Sequence, residues 1–266
     1  ITMSEFILEI YGEEIPSSAQ SLIENQFEKL FCQLLENNEI KFKELTTFST
    51  SRRVGIYIYG FNNFTNSKQI EVRGPQINAN EKAIQGFLKS NNLSDIKQLE
   101  KKVINDKSYF IFKKKIKNKN ILEVFYFGVP NILQSIKWIK SMRWGNHSDR
   151  WIRPIKNILC VYNRKLLKIK FADLESKNFT FGNYHFDENK FKYNNYLNYR
   201  KKLKENFVIL EGVTRQKHIL KSINAFCKKN NLKFVNDLTF LNRVSNSVEY
   251  PNVYFGTFDK KFFKIP

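Results

Sequence analysis

Between Ser4 and Leu35 the spacing of apolar residues changes period, and that change limits the chain to folds that mix strands with helices. In SEFILEIYG (Ser4–Gly12) apolar and polar residues alternate, the pattern of a strand. From Pro16 and Ser17 onward, Ala19, Leu22, Ile23, Phe27, Leu30, Phe31, Leu34 and Leu35 recur at the three-to-four spacing of one helix face. RRVGIYIYG (Arg52–Gly60) returns to period two, and KSYFIFKKKIKNKN (Lys107–Asn120) is another β-rich run ending in a polar turn. Between them, Ala83, Ile84, Phe87 and Leu88 predict a short helix after the loop RGPQINAN (Arg73–Asn80). ILEVFYFGVPNILQSIKWIKSM (Ile121–Met142) is helical in pattern, but Pro130 lacks a backbone donor and crowds the residue before it, so a kink or two helices are expected.

NILCVYNRKLLKIKF (Asn157–Phe171) has the form of a hairpin turning at Asn163 and Arg164. It is followed by a basic, tyrosine-rich helix over 193–204, a strand at FVILEG (Phe207–Gly212), helices over 214–229 and 237–248, and a strand at NVYFGTF (Asn252–Phe258). The alternation is irregular and no repeat or Gly/Ser/Pro linker interrupts it. The expected class is therefore α+β, with helices and mainly antiparallel sheets in two α+β lobes, 1–125 and 126–266. Met3 is the expected natural start, and the abrupt end after FDKKFFKIP suggests a fragment.

Hydrophobic residues make up 42% of the 266, and 25 are Phe, which excludes a disordered chain. Forty-five Lys and Arg against 25 Asp and Glu give +20, a field that draws polyanions, nucleic acid first among them. Codon composition is the competing reading of that excess and carries equal weight, because abundant Lys, Asn, Ile and Phe are all written in A- and T-rich codons. Cys32, Cys160 and Cys227 lie far apart without a CxxC pair, which suits a reducing cytoplasm and no zinc ribbon. No apolar run reaches membrane length, and the first residues lack the basic-then-apolar form of a secretion signal.

Phosphate loops, dinucleotide turns and HExxH helices are missing from the sequence, and His147, His185 and His218 are widely spaced, so no metal site is expected. Cys32 and Cys227 sit on apolar faces and are expected to be core residues. Glu13 and Glu14 adjoin the first helix, where capping is a sufficient role. The basic segments are more informative. In the 193–204 helix tyrosines alternate with cations, which would suit stacking on unpaired bases, but inward-packed tyrosines under a solvated lysine face are the favoured reading. KSMRWGNHSDRWIRPIKN (Lys140–Asn157) combines Trp144 and Trp151 with five cations. Its arginines can stack on rings while forking two donors outward, or can hold the loop to the core, and the pattern leaves the two readings even.

Five collinear segments add a resemblance. LEIYGEEIP (Leu8–Pro16), TSRRVG (Thr50–Gly55), RGP (Arg73–Pro75), KSMRWG with WIRPI (Lys140–Gly145, Trp151–Ile155) and VSNSVEYPNVYFGTFDKKFFKIP (Val244–Pro266) are similar to the signatures of the β subunit of bacterial two-subunit glycine-tRNA ligase. Departures occur at Tyr11-Gly12, at Ser51, at Asn242-Arg243, and in TFGNYHF (Thr180–Phe186), where the family has Gly-His-Arg-Phe and any contact made by that His-Arg pair is in doubt. The resemblance implies the N-terminal part of a longer subunit, with HD-like and anticodon-binding domains beyond this chain. It further implies a cytoplasmic α2β2 assembly with a second β chain, glycine tRNA as partner, and an α subunit holding the class II active site with ATP and Mg. No cofactor or catalytic residue is expected in this chain. Arg52, Arg53, Arg143 and Arg153 are the expected tRNA or subunit contacts, and Trp144 and Trp151 the expected braces of their loop. The competing reading is a truncated or degenerate copy that binds RNA electrostatically without a ligase role.

Overall fold

The structure, a computed structural model, describes residues 4–62, 68–116, 120–186, 189–259 and 261–262, and assembles them into two compact units. The larger comprises Ile1–Asn63 and Leu122–Pro266, and the smaller is Phe64–Ile121, which interrupts it along the sequence. A boundary at 125/126 is therefore not the one the chain uses. Strand β1 (Ser4–Gly12) pairs with β3 (Arg53–Phe61) on one edge and with β7 (Ile155–Tyr162) on the other, so residues from both expected lobes share one sheet.

That sheet is antiparallel, in the order β2-β3-β1-β7-β8, with β2 at Glu44–Ser49 and β8 at Lys165–Leu166. Its central strand is buried on both faces, which a period-two pattern alone does not predict. Phe6 stacks on Phe125 of α3 (Ile121–Ser135) at 4.1 Å and lies 6.0 Å from Phe31 of α1 (Ser17–Asn37). Ile7, on the opposite face, joins Leu159, Val161, Tyr57 and the Tyr196, Tyr199 and Leu203 side chains of α4 (Tyr196–Glu205). Each such side chain contributes roughly 1.5–3 kcal/mol by leaving water, so the helices on each face are held mainly by packing. Gly55 is needed in this sandwich, because a Cβ there would meet the Leu8 carbonyl and the Phe48 ring, each at 2.4 Å.

The hairpin from β7 to β8 turns at Asn163 and Arg164, both with positive φ (46° and 63°), the mirror-image turn that matches strand twist. Short pairs follow: β9 (Lys170–Phe171) with β10 (Leu174–Glu175), and β11 (Phe179–Phe181) with β12 (Lys190–Lys192). Helices α5 (Gly212–Lys229) and α6 (Leu238–Ser247) complete the unit, the latter capped by Asp237, whose carboxylate accepts from the Phe240 amide at 2.9 Å. The tyrosines of the 193–204 segment point inward: Tyr193, Tyr196 and Tyr199 are buried while Arg200, Lys201 and Lys204 are exposed.

Three local expectations are corrected. Helix α3 runs through Pro130 as one element and stops at Ser135, short of Met142. FVILEG is not a strand: Val208, Ile209 and Leu210 are buried, but the Ile209 amide donates to the Glu249 carbonyl and the Val208 amide to Leu203. NVYFGTF is likewise outside any strand, with Tyr254 88% exposed.

The smaller unit is a sheet of β4 (Lys68–Gln76), β6 (Lys107–Ile116) and β5 (Glu100–Ile104), in that order, with helix α2 (Glu81–Ser90). Its core is Leu88, Leu99 and Phe110, with Ile77, Ile84, Phe87, Leu93 and Phe112 packed around them. Strand β4 carries the Arg73-Gly74-Pro75 segment expected as loop, and its register breaks there. Among the described residues no helix is long and apolar enough to cross a membrane.

Candidate functional site

Glu9 lies in the middle of β1, opposite Gly55 on one side and Leu159 on the other, with none of its surface in water. A carboxylate in that position requires a cation and donors. Arg53 supplies the cation. It enters β3 opposite Tyr11, is 0% exposed, and donates from Nη1 to Glu9 Oε2 at 3.2 Å. Its Nε and Nη2 meet Glu249 side-on, at 2.7 and 3.3 Å. The remaining donor capacity goes to the carbonyls of Phe181 (3.1 Å) and Gly182 (3.2 Å), with Thr180 Oγ1 at 3.4 Å.

The two carboxylates are also served by hydroxyls. Tyr199 donates to Glu9 at 2.5 Å, Thr180 donates to Glu9, and Thr50 donates to Glu249 at 2.6 Å. Burial works against the Arg53 charge, but Glu249 and Glu9 outweigh it and hold the guanidinium above its ordinary pKa. Burial, and then the Glu9 carboxylate, push the Tyr199 phenol well up. The arrangement is a buried ionic centre that joins β1, β3, the 180–182 segment and the segment after α6.

Arg52 is placed differently from its neighbour. Only 6% exposed, it lies in the turn before β3, reaches Glu13 at 3.4 Å and Glu14 at 3.6 Å, and stacks over the Tyr184 ring at 4.0 Å. Lys156 joins from β7, 3.0 Å from Glu13, and with Arg52 holds that carboxyl below its usual range. Glu13 and Glu14 thus pair with cations and do not cap α1, whose N-cap is Pro16 without a side-chain bond.

The tryptophan loop closes on itself through a two-bond bridge between Met142 and Trp151 (2.8 and 3.2 Å). Arg150 fastens it by donating to the hydroxyl and the carbonyl of Ser141, both at 2.9 Å. Trp151 is inside, edge-on to Trp138 (4.9 Å) and Phe171 (5.7 Å). Trp144 is half-buried and meets the His147 ring at 4.7 Å. Arg143 and Arg153 are exposed, and Arg153 Nη1 donates to the Ile152 carbonyl at 2.8 Å. Of the four arginines selected from the sequence, two are therefore interior or rim residues, and Arg143 and Arg153 present their charge to solvent. Cys160 is buried, its thiol pushed up by burial, while Cys32 and Cys227 are only partly buried.

A family model described as glycyl-tRNA synthetase beta subunit matches residues 6–266. The chain belongs to that family. Curated glycine-tRNA ligase beta subunits from Rickettsia bellii (strain OSU 85-389), Rickettsia felis and Rickettsia prowazekii are 36%, 34% and 34% identical to it over 264, 266 and 264 residues. Those matches cover 99% of this chain but 40%, 40% and 39% of the relatives, so the chain spans about two fifths of their length and corresponds to the N-terminal part of the family's beta subunits. Three of the signature segments meet in space, since Glu9, Thr50 with Arg53, and Glu249 all belong to the ionic centre, and Thr180 to Gly182, from the segment that departs from the family, join them there. Glu9 and Glu249 were not singled out from the sequence. The available signal was a lone carboxylate inside an apolar strand, FILEIYG, which must find an internal cation.

Proposed function

We propose that this chain is the N-terminal region of a working β subunit that supports ATP-dependent attachment of glycine to its tRNA by binding the tRNA and the α subunit within an α2β2 assembly in the cytoplasm. The observation that carries the reading is the family match along nearly the whole chain, residues 6–266. A formal charge of +20 and the outward-facing Arg143 and Arg153 supply what an RNA backbone needs, which is fixed cations on a folded support. The adenylate chemistry, with ATP and Mg, is assigned to the α subunit, and no residue of this chain is assigned a catalytic role. Its contribution is orientation, converting the meeting of tRNA and adenylate into a step within one complex.

The test is glycylation of glycine tRNA by the matching α subunit with ATP and glycine, with the complete β chain or this segment added. Activity that depends on the complete β chain supports the reading. Failure of the complete chain to restore any activity overturns it, in favour of a copy that binds RNA without a ligase role.

A further inference from the structure

Helices α4 and α5 form the walls of a groove of about 400 Å³, with Val208, Ile209 and Leu210 as its floor. Arg200, Lys201 and Lys204 line one wall and Thr214 and His218 the other. The three cations occupy the outer face of α4 because Tyr196, Tyr199 and Leu203 take the inner face, and helical periodicity leaves positions 200, 201 and 204 side by side. Lys217 and Lys221 are exposed on α5 and extend the positive strip along it. The Ile209 and Leu210 carbonyls both accept from buried Arg215 Nη1 at 2.7 Å, and Glu211, the one carboxylate in the lining, is paired with Arg200 at 2.5 Å.

We infer that this groove is a seat for the sugar-phosphate backbone of RNA, a proposal that rests on the tRNA-binding reading above and names the surface that serves it. Lys204 makes no ion pair among the described residues. Arg200 meets Glu211 at 2.5 Å and Lys201 meets Glu205 at 3.8 Å, but all four side chains are more than a third exposed, and water screens exposed pairs of this kind. A phosphodiester exchanges such a partner readily and can take several donors at once. Three adjacent cations with a hydroxyl and an imidazole facing them match a row of phosphates. Apart from the His218 imidazole, the lining carries no aromatic side chain for bases to stack on, so the contact is chiefly to backbone and largely insensitive to sequence.

The experiment is a titration of fluorescent glycine tRNA with the complete β subunit between 50 and 200 mM salt, comparing the parent, the triple variant Arg200→Gln/Lys201→Gln/Lys204→Gln, and a control triple Lys228→Gln/Lys229→Gln/Lys233→Gln that removes equal charge from the far end of α5 and the turn after it. The groove triple is expected to bind at least about tenfold more weakly and to lower the slope of log K against log salt by about three, one per phosphate contact, at unchanged Tm. The control is expected to change the slope by less than about one. Equal effects of both triples would show a diffuse field and overturn the site, as would a groove triple that binds like the parent. Competition by ATP or pyrophosphate as effective as unlabelled tRNA, at equal phosphate concentration, would assign the groove to small polyphosphates and overturn the RNA seat. A parent that does not bind glycine tRNA at all overturns the functional reading itself.

Discussion

Arg53 and Arg215 are both fully buried, yet one is held by carboxylates and the other by carbonyls. Around Arg53 stand Glu9 and Glu249. Around Arg215 stand the backbone oxygens of Ser245, Ile209, Leu210 and Ser49 and the side-chain oxygen of Asn246, at 2.7 to 3.2 Å. The consequence is electrostatic. Carboxylates hold the Arg53 charge more firmly than water would, whereas burial without a directly bonded carboxylate lowers Arg215 to about 10, against partial support from Glu249, Glu24 and Glu211. The two therefore do different work. Arg53 neutralises charge that the sheet has already buried, and Arg215 satisfies the ends of polar backbone where α5, α6 and the 207–211 segment meet.

This contrast predicts unequal costs. Arg53→Met should be the most damaging change, about 3–5 kcal/mol, because it leaves Glu9 and Glu249 buried without their cation. Urea unfolding would measure it, and adding Glu9→Gln and Glu249→Gln to the same chain should recover part of the loss. A cost below about 1 kcal/mol would break the comparison. Arg215→Met should cost less, roughly 2–3 kcal/mol, since it strands neutral acceptors and no charge; adding a second neutral substitution among its partners should not rescue it.

Smaller effects sharpen the picture. Burial raises the Glu5 carboxyl above its ordinary value, with Arg164 and the Tyr57 hydroxyl opposing. A carboxyl raised on folding costs stability once pH passes its unfolded value, because the folded state must then carry a charge that burial disfavours. Glu5→Gln should accordingly unfold at a higher temperature than the parent at pH 7, by under about 1 kcal/mol given its partial solvent contact, and the gain should vanish below about pH 4. The smallest stability changes belong to Arg143→Ala and Arg153→Ala, within about 0.5 kcal/mol of the parent by thermal unfolding, since both side chains are exposed. Their effect should instead be read as weaker tRNA binding by the complete subunit. A fall in Tm with unchanged affinity would assign them to the loop and not to RNA.

Much of the fold was legible in the chain. Periods of two and of three to four located β1, α1, β3, β6, α2, α4, α5 and α6, and the Asn163-Arg164 turn located the β7 hairpin, because their sequence patterns are local, although β1 and β3 are buried on both faces. The strands expected at Phe207–Gly212 and Asn252–Phe258 failed because short apolar runs look alike whether they pair in a sheet, fill a gap between helices as Val208 to Leu210 do, or lie exposed on the surface as Tyr254 and Phe258 do. Pro130 did not divide its helix. Apolar contacts on both sides of it, Phe125 and Val129 before and Ile132 and Leu133 after, are buried in one core, and packing outweighs one missing backbone bond.

The sequence by itself determined the α+β class, the excess of cations, and the collinear segments by which the chain is similar to the glycyl-tRNA synthetase beta subunit family. Only the tertiary structure decided which cations face water. Arg52 and Arg53 are neighbours with the same chemistry, yet one stacks on Tyr184 at the rim and the other disappears between Glu9 and Glu249, residues 44 and 196 positions away. A side chain's charge is a property of the residue, but whether that charge is spent inside or offered outside depends on partners brought together by β1, β3 and the segment after α6, and no local pattern encodes such distant pairings.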